Sequence, residues 1–233
     1  MSTASPSPHR ALLVITSHGQ LGDTGNTTGY TVSEAADPWQ VFVNAGWEVD
    51  LTTVRGGRPP EDGFGDPTQP NQVAWAADPD VQAKLDTAPA PAEVDPSRYD
   101  AVYFVGGHGS MWDFPGNNDL SRLAASVYEH GGVVAAVCHG PSALTTLRLS
   151  DGSLLVEGKS IAAFTDSEER EIGLDGIVPF LLQSRLEELG AKHTGAAHWK
   201  SHIVVDGRLV TGQNPASAAG VAEAVTDIVH AHS

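Results

Sequence analysis

Residues 133–141, Val-Val-Ala-Ala-Val-Cys-His-Gly-Pro, set the chain's single cysteine, Cys138, between a fully apolar run and a histidine, a glycine and a proline. A cysteine does chemistry as its thiolate, a nucleophile toward carbonyl carbon. A residue at the carboxyl end of a buried parallel strand projects into the crevice where α/β proteins bind ligands. Small neighbours let the backbone bend sharply there, as in the elbow that carries a hydrolase nucleophile. The helix expected next points its positive end at the turn, which should favour the thiolate. Lone cysteines are more often core residues; the strand end with His139, Gly140 and Pro141 outweighs that reading here. A second apolar run, 99–105, leads into Gly106-Gly107-His108-Gly109. Bare N–H groups in such a turn can receive a developing oxyanion, with the N–H of His139 as the second donor.

The elements that must position these residues follow from the alternation of apolar runs with helix-periodic segments. That rhythm specifies an α/β domain, a mostly parallel sheet with helices on both faces. Strands are expected at 11–17, 47–54, 99–105, Val133–Val137 and 160–164, with a hairpin of 203–205 and 209–211 across Asp206-Gly207. Helices are expected from an N-cap at Ser33 to about Ala45, then at 119–130, 142–147, 177–189 and 216–230. Residues 1–9 read as a loose tail and 10–233 as one domain. Within it, 56–96 is rich in Pro, Gly and Asp and has one short helical pattern at 78–85, so it reads as an inserted lid.

Composition excludes several classes. A net charge of −16, with 13 scattered Lys and Arg, argues against nucleic acid and anionic membranes as partners. No apolar run approaches the ~20 residues of a spanning helix, and residues 1–16 lack a secretory pattern, so a cytoplasmic protein is expected. One cysteine rules out an internal disulfide and a Cys-based zinc site. His198 and His202 are four apart, but their segment reads as loop and strand, so no metal site is expected.

Four segments in order resemble the PfpI/DJ-one superfamily, the class I glutamine amidotransferase-like fold, and within it the branch of heat-shock chaperones and glutathione-independent glyoxalases. They are Thr28-Gly29-Tyr30-Thr31-Val32-Ser33-Glu34 with Pro38; Gly106-Gly107-His108-Gly109 with Trp112-Asp113-Phe114-Pro115; Val137-Cys138-His139-Gly140-Pro141; and Thr211-Gly212-Gln213-Asn214-Pro215-Ala216-Ser217-Ala218. The resemblance implies a flavodoxin-like single domain and allows a homodimer. It implies Cys138 as nucleophile with His139 as its partner, Glu34 as a protonated acid on the thiol, and Gly107 and His139 as oxyanion donors. A carboxylate orienting the histidine would be Glu169 by spacing from Phe164, with Glu168 as the alternative. Gly106, His108, Trp112 and Tyr30, with Trp199, would line a substrate site. The implied reaction takes methylglyoxal or a related 2-oxoaldehyde to a 2-hydroxy acid, with no organic cofactor and no metal. A holdase chaperone, a cysteine peptidase or amidase, and a redox-sensing thiol are the rival readings. Glutamine amidotransferase activity is disfavoured because His139 adjoins the nucleophile.

Overall fold

The computed structural model describes residues 8–63 and 65–232; most of the expected tail lies outside them. Strands β1 (Arg10–Ile15), β2 (Glu48–Thr53), β3 (Ala101–Phe104), β4 (Val133–Val137), β7 (Ile203–Asp206) and β8 (Leu209–Gly212) form one sheet in the order β2-β1-β3-β4-β8-β7. All neighbours are parallel except the β7–β8 hairpin. The short strands β5 (Ser160–Ile161) and β6 (Lys192–His193) pair separately.

Apolar residues on both faces of each central strand explain the unbroken hydrophobic runs. In β1, Ala11, Leu13 and Ile15 pack toward helices α1 (Val32–Asn44) and α8 (Ala218–His232). Leu12 and Val14 point the other way, toward α5 (Asn118–Glu129) and α7 (Leu182–Glu188). The chain leaves β1 to one side for β2 and returns on the other for β3. That reversal opens a crevice at the carboxyl ends of β1 and β3, where α/β sheets place ligands. Glu34 in the first turn of α1, the glycine-rich turn after β3 and Cys138 after β4 all converge there.

Several elements differ from expectation for identifiable reasons. Helix α1 has Thr31, not Ser33, at its N-cap position, and the Thr31 hydroxyl donates to Asp62 instead of capping the helix. Residues 56–96 hold two helices, α2 (Pro70–Ala77) and α3 (Pro79–Asp86). Each begins with a proline at its first position, where the missing N–H does no harm, and Asp78 caps α3 by accepting from the N–H groups of Asp80 and Val81. Trp75 from α2 and Val81 and Leu85 from α3 are buried in the core shared with α1. The acidic run after Phe164 forms helix α6 (Asp166–Glu171), and the short helix α4 (Ser110–Asp113) follows the β3 turn. Beyond Pro141 the chain makes a 3-10 helix, Gly140–Thr145, where an α-helix was expected. The expected strand 160–164 stops at Ile161. Its continuation bends to the site, where the Phe164 N–H donates to the Cys138 carbonyl at 2.9 Å.

Candidate active site

Cys138 sits at φ +59°, the left-handed region that a side chain with a Cβ rarely adopts and that costs about 1–3 kcal/mol unless the surroundings enforce it. The surroundings do. The Cys138 N–H donates to Gly212 O at 2.9 Å, its carbonyl accepts from Phe164, and Gly106 packs against it. A Cβ on Gly106 would lie 2.9 Å from Cys138 Cβ and 2.6 Å from the Val137 carbonyl, and would collide with Glu34 Oε2. Glycine is therefore required there so that two strand-end turns can touch.

From the elbow a chain of polar contacts runs inward. Cys138 Sγ is 3.3 Å from His139 Nδ1, and His139 Nε2 is 2.7 Å from Glu169 Oε2. The other carboxylate oxygen, Oε1, is 2.8 Å from His108 Nε2. A carboxylate only accepts, so both imidazoles donate from Nε2–H, and each Nδ1 carries the lone pair. His139 is thus a base aimed at the thiol. Phe164 packs on its ring at 4.4 Å between centroids, and His108 at 4.0 Å.

The electrostatics define a neutral resting pair. Burial, aided by neighbouring Glu34, pushes the Cys138 thiol well above its ordinary range. Burial and the adjacent His108 lower His139 to about 4 against the pull of Glu169. Burial alone would raise Glu169, but the two imidazoles override it and hold the carboxylate at about 2. Burial pushes Glu34 well above the usual carboxylate range; the Cys138 thiol and the Gly106 N–H moderate the rise, and Asp62 adds to it. Glu34 is fully enclosed, and neither of its oxygens closes a well-formed hydrogen bond among the described residues. These features make it a neutral acid beside the sulfur. The expectation of a resting thiolate is therefore corrected: a six-residue 3-10 helix supplies little dipole, and enclosure beside a carboxyl favours the thiol.

Glu168 and Glu169 do different work. Glu168 closes a capping box with Thr165, accepting from its N–H at 3.1 Å and its hydroxyl at 2.8 Å. Its other oxygen accepts from Trp199 N–H and from Asn214 Nδ2, both at 3.0 Å. Replacing Glu168 by alanine should destabilise the fold by about 2–3 kcal/mol through the lost cap and two orphaned donors. The check is thermal denaturation, with the His139–Glu169 contact and its chemistry retained.

The site opens into a cavity of about 660 Å³. His108, Cys138, His139 and Glu34 line it, together with Phe164 and Trp199. Tyr30 and Trp112 do not: Tyr30 is buried, its hydroxyl donating to Glu61, while Trp112 stacks on His18 at 5.1 Å. Gly106 shapes the turn rather than the lining, and its carbonyl accepts from Thr31 N–H. Gly107, at φ +101°, has an N–H that meets no acceptor among the described residues. Sequence reasoning missed Leu21, Thr27 and Thr31 from the loop after β1, Asp62 from the 56–96 segment, and Ile172 and Leu174 beyond α6. A long Gly- and Thr-rich loop at a strand's carboxyl end was the available signal for the first group. His198 and His202 have separate partners, Glu171 with Ser167 and Thr194. Ligand atoms of His108, His139 and Glu169 lie within 4.8 Å of one another, close enough for a metal ion, and their mutual hydrogen bonds account for the arrangement.

A strained cysteine elbow backed by a histidine and a carboxylate, at the carboxyl edge of a parallel sheet, defines a cysteine-dependent α/β enzyme. The chain belongs to the DJ-1/PfpI family, whose sequence profile matches residues 27–227. It is 35% identical over 227 residues to the glutathione-independent glyoxalase HSP31 of Saccharomyces cerevisiae, covering 91% of this chain and 94% of that one. Among solved structures, glyoxalase III from Candida albicans superimposes with a TM-score of 0.87 at 32% identity, covering 94% of this chain and 97% of that one. The Rapid Encystment Protein 24 KDa of Francisella tularensis gives 0.90 at 32% identity, over 95% and 99%.

Proposed function

We propose that the protein is a glutathione-independent glyoxalase that converts methylglyoxal or a related 2-oxoaldehyde to the 2-hydroxy acid. The observation that carries this reading is the thiol–imidazole–carboxylate line opening into the cavity, in a chain similar along most of its length to proteins named for that activity. His139 Nδ1 takes the thiol proton as sulfur adds to the aldehyde carbon, and Glu169 stabilises the imidazolium that forms. In this reading the N–H groups of Gly107 and His139 receive the oxyanion. A proton then moves from C1 to C2 through an enediol, and water hydrolyses the resulting thioester to free the thiol. The thiol thus plays the part that glutathione plays elsewhere. A cavity of this volume also admits 2-oxoaldehydes larger than methylglyoxal.

The test is lactate formation from methylglyoxal in the absence of any added thiol, followed by proton NMR. Lactate, expected as the D enantiomer, should accumulate in step with substrate loss, and added glutathione should not raise the rate. Absence of lactate would overturn the reading and turn attention to peptide hydrolysis and suppression of client aggregation, the rival activities of the same scaffold. No helix among the described residues is long and apolar enough to cross a membrane.

A further inference from the structure

Glu169 serves two histidines, and the thiol-activating role uses one of them. His108 stands in the glycine-rich turn after β3, with its side chain 12% exposed and lining the cavity beside Cys138. Its Nε2 is committed to Glu169 Oε1. That fixes the tautomer and leaves the lone pair on Nδ1, which meets no partner among the described residues. A clamp for Glu169 needs only a donor; an imidazole at the cavity wall adds a base.

We propose that His108 is the acid–base residue that moves the substrate's carbon-bound proton, while His139 handles the proton of the thiol. This rests on the glyoxalase reading and assigns its proton transfers. The chemistry requires two separate transfers. In the first, the S–C1 bond forms, the aldehyde π bond breaks, and the thiol proton passes through His139 to the C1 oxygen. In the second, His108 Nδ1 takes the proton from C1, the C–H electron pair becomes the C1–C2 double bond, and the C2 oxygen takes up the negative charge. The proton on the C1 oxygen passes to the C2 oxygen, His108 returns its proton to C2, and a thioester carbonyl forms at C1. No oxidant or reductant is needed, because the step is an isomerisation. Glu169 couples the two imidazoles, whose centroids are 4.0 Å apart.

The experiment compares wild type with His108→Gln and His108→Ala. Glutamine keeps an N–H donor for Glu169 and removes the base; alanine opens space for added imidazole. Two rates are read on each protein: lactate formation, and alkylation of Cys138 by iodoacetamide, which reports the fold and the thiol together. We expect lactate formation to fall at least ~100-fold in His108→Gln, the scale of a lost general base, with alkylation within a few-fold of wild type. Imidazole should restore His108→Ala by about tenfold or more toward the rate of an intact base. Lactate formation in His108→Gln within a few-fold of wild type would overturn the assignment. So would alkylation and lactate formation falling together without imidazole rescue, the pattern of a residue that only positions Glu169. Failure of the glyoxalase reading itself shows differently, as wild type making no lactate while its thiol still alkylates; that result removes this assignment as well.

Discussion

Cys138→Ala is expected to eliminate lactate formation, with a loss of roughly four orders of magnitude or more, the scale seen when a covalent nucleophile is removed from a coupled site. The chain holds no second cysteine to substitute for it. Its fold should be little affected, because alanine keeps the Cβ, loses only the sulfur and faces the same φ of +59°. Thermal denaturation and near-ultraviolet dichroism check that point beside the rate. The wild-type thiol should also alkylate slowly at neutral pH, its rate still climbing above the ordinary thiol range of about 8.5. The sign follows from the surroundings: burial and the neighbouring Glu34 carboxyl disfavour the anion. A plateau of fast alkylation in the acid range would instead mean a resting thiolate–imidazolium pair and would overturn the neutral-pair description.

The same residues show what a sequence can and cannot reveal. Val133–Val137 was legible because a strand buried on both faces has no choice but to be apolar throughout, and its end then fixes the place of Cys138. Gly106 and Gly107 were legible because only glycine permits the contacts and dihedral found there. Spacing from Phe164 favours Glu169 with Glu168 as the alternative, and three dimensions separate them: helix α6 turns Glu169 inward to His139 and Glu168 toward Asn214 and Trp199. The charged run hid that helix, as the prolines hid α2, because local composition outweighs a period seen over six or eight residues. Tyr30 and Trp112 were misplaced for a related reason: a large aromatic near a motif fills core or cavity equally well, and packing decides. The resemblance places Glu34 on the thiol, but the sequence could not show how fully both groups are enclosed, and it is that burial, with the carboxyl beside it, that pushes the thiol up.

Glu169→Gln is expected to lower the rate of lactate formation by about 10²–10⁴-fold, through geometry as much as through charge. The carboxylate accepts from two Nε2–H groups at 2.7 and 2.8 Å. An amide offers one oxygen and one NH₂, so one imidazole must face a donor with a donor. If that imidazole is His139, it escapes by moving its proton to Nδ1, where it points at the sulfur and can no longer accept the thiol proton. If it is His108, the same shift removes its lone pair from Nδ1. Either rearrangement removes one base, and loss of the negative charge lowers the basicity of His139 further, since Glu169 is what holds its pKa up against burial. The pH dependence separates these effects. In wild type, the neutral form of His139 is present above about 4 and is lost as pH falls through that value, so the acid limb of the rate should lie there. In Glu169→Gln that limb should move to lower pH while the plateau drops. A variant with an unmoved limb and a near-wild-type plateau would mean that Glu169 neither orients nor charges the histidine. The stability of the pair has its own sign. Glu169, depressed to about 2, contributes stability that is present above its unfolded value and lost as pH falls toward 2. His139, kept neutral by burial, makes the fold less stable as pH drops below its unfolded value of about 6.5. Acid denaturation should therefore begin through the histidine, before the carboxylate is protonated.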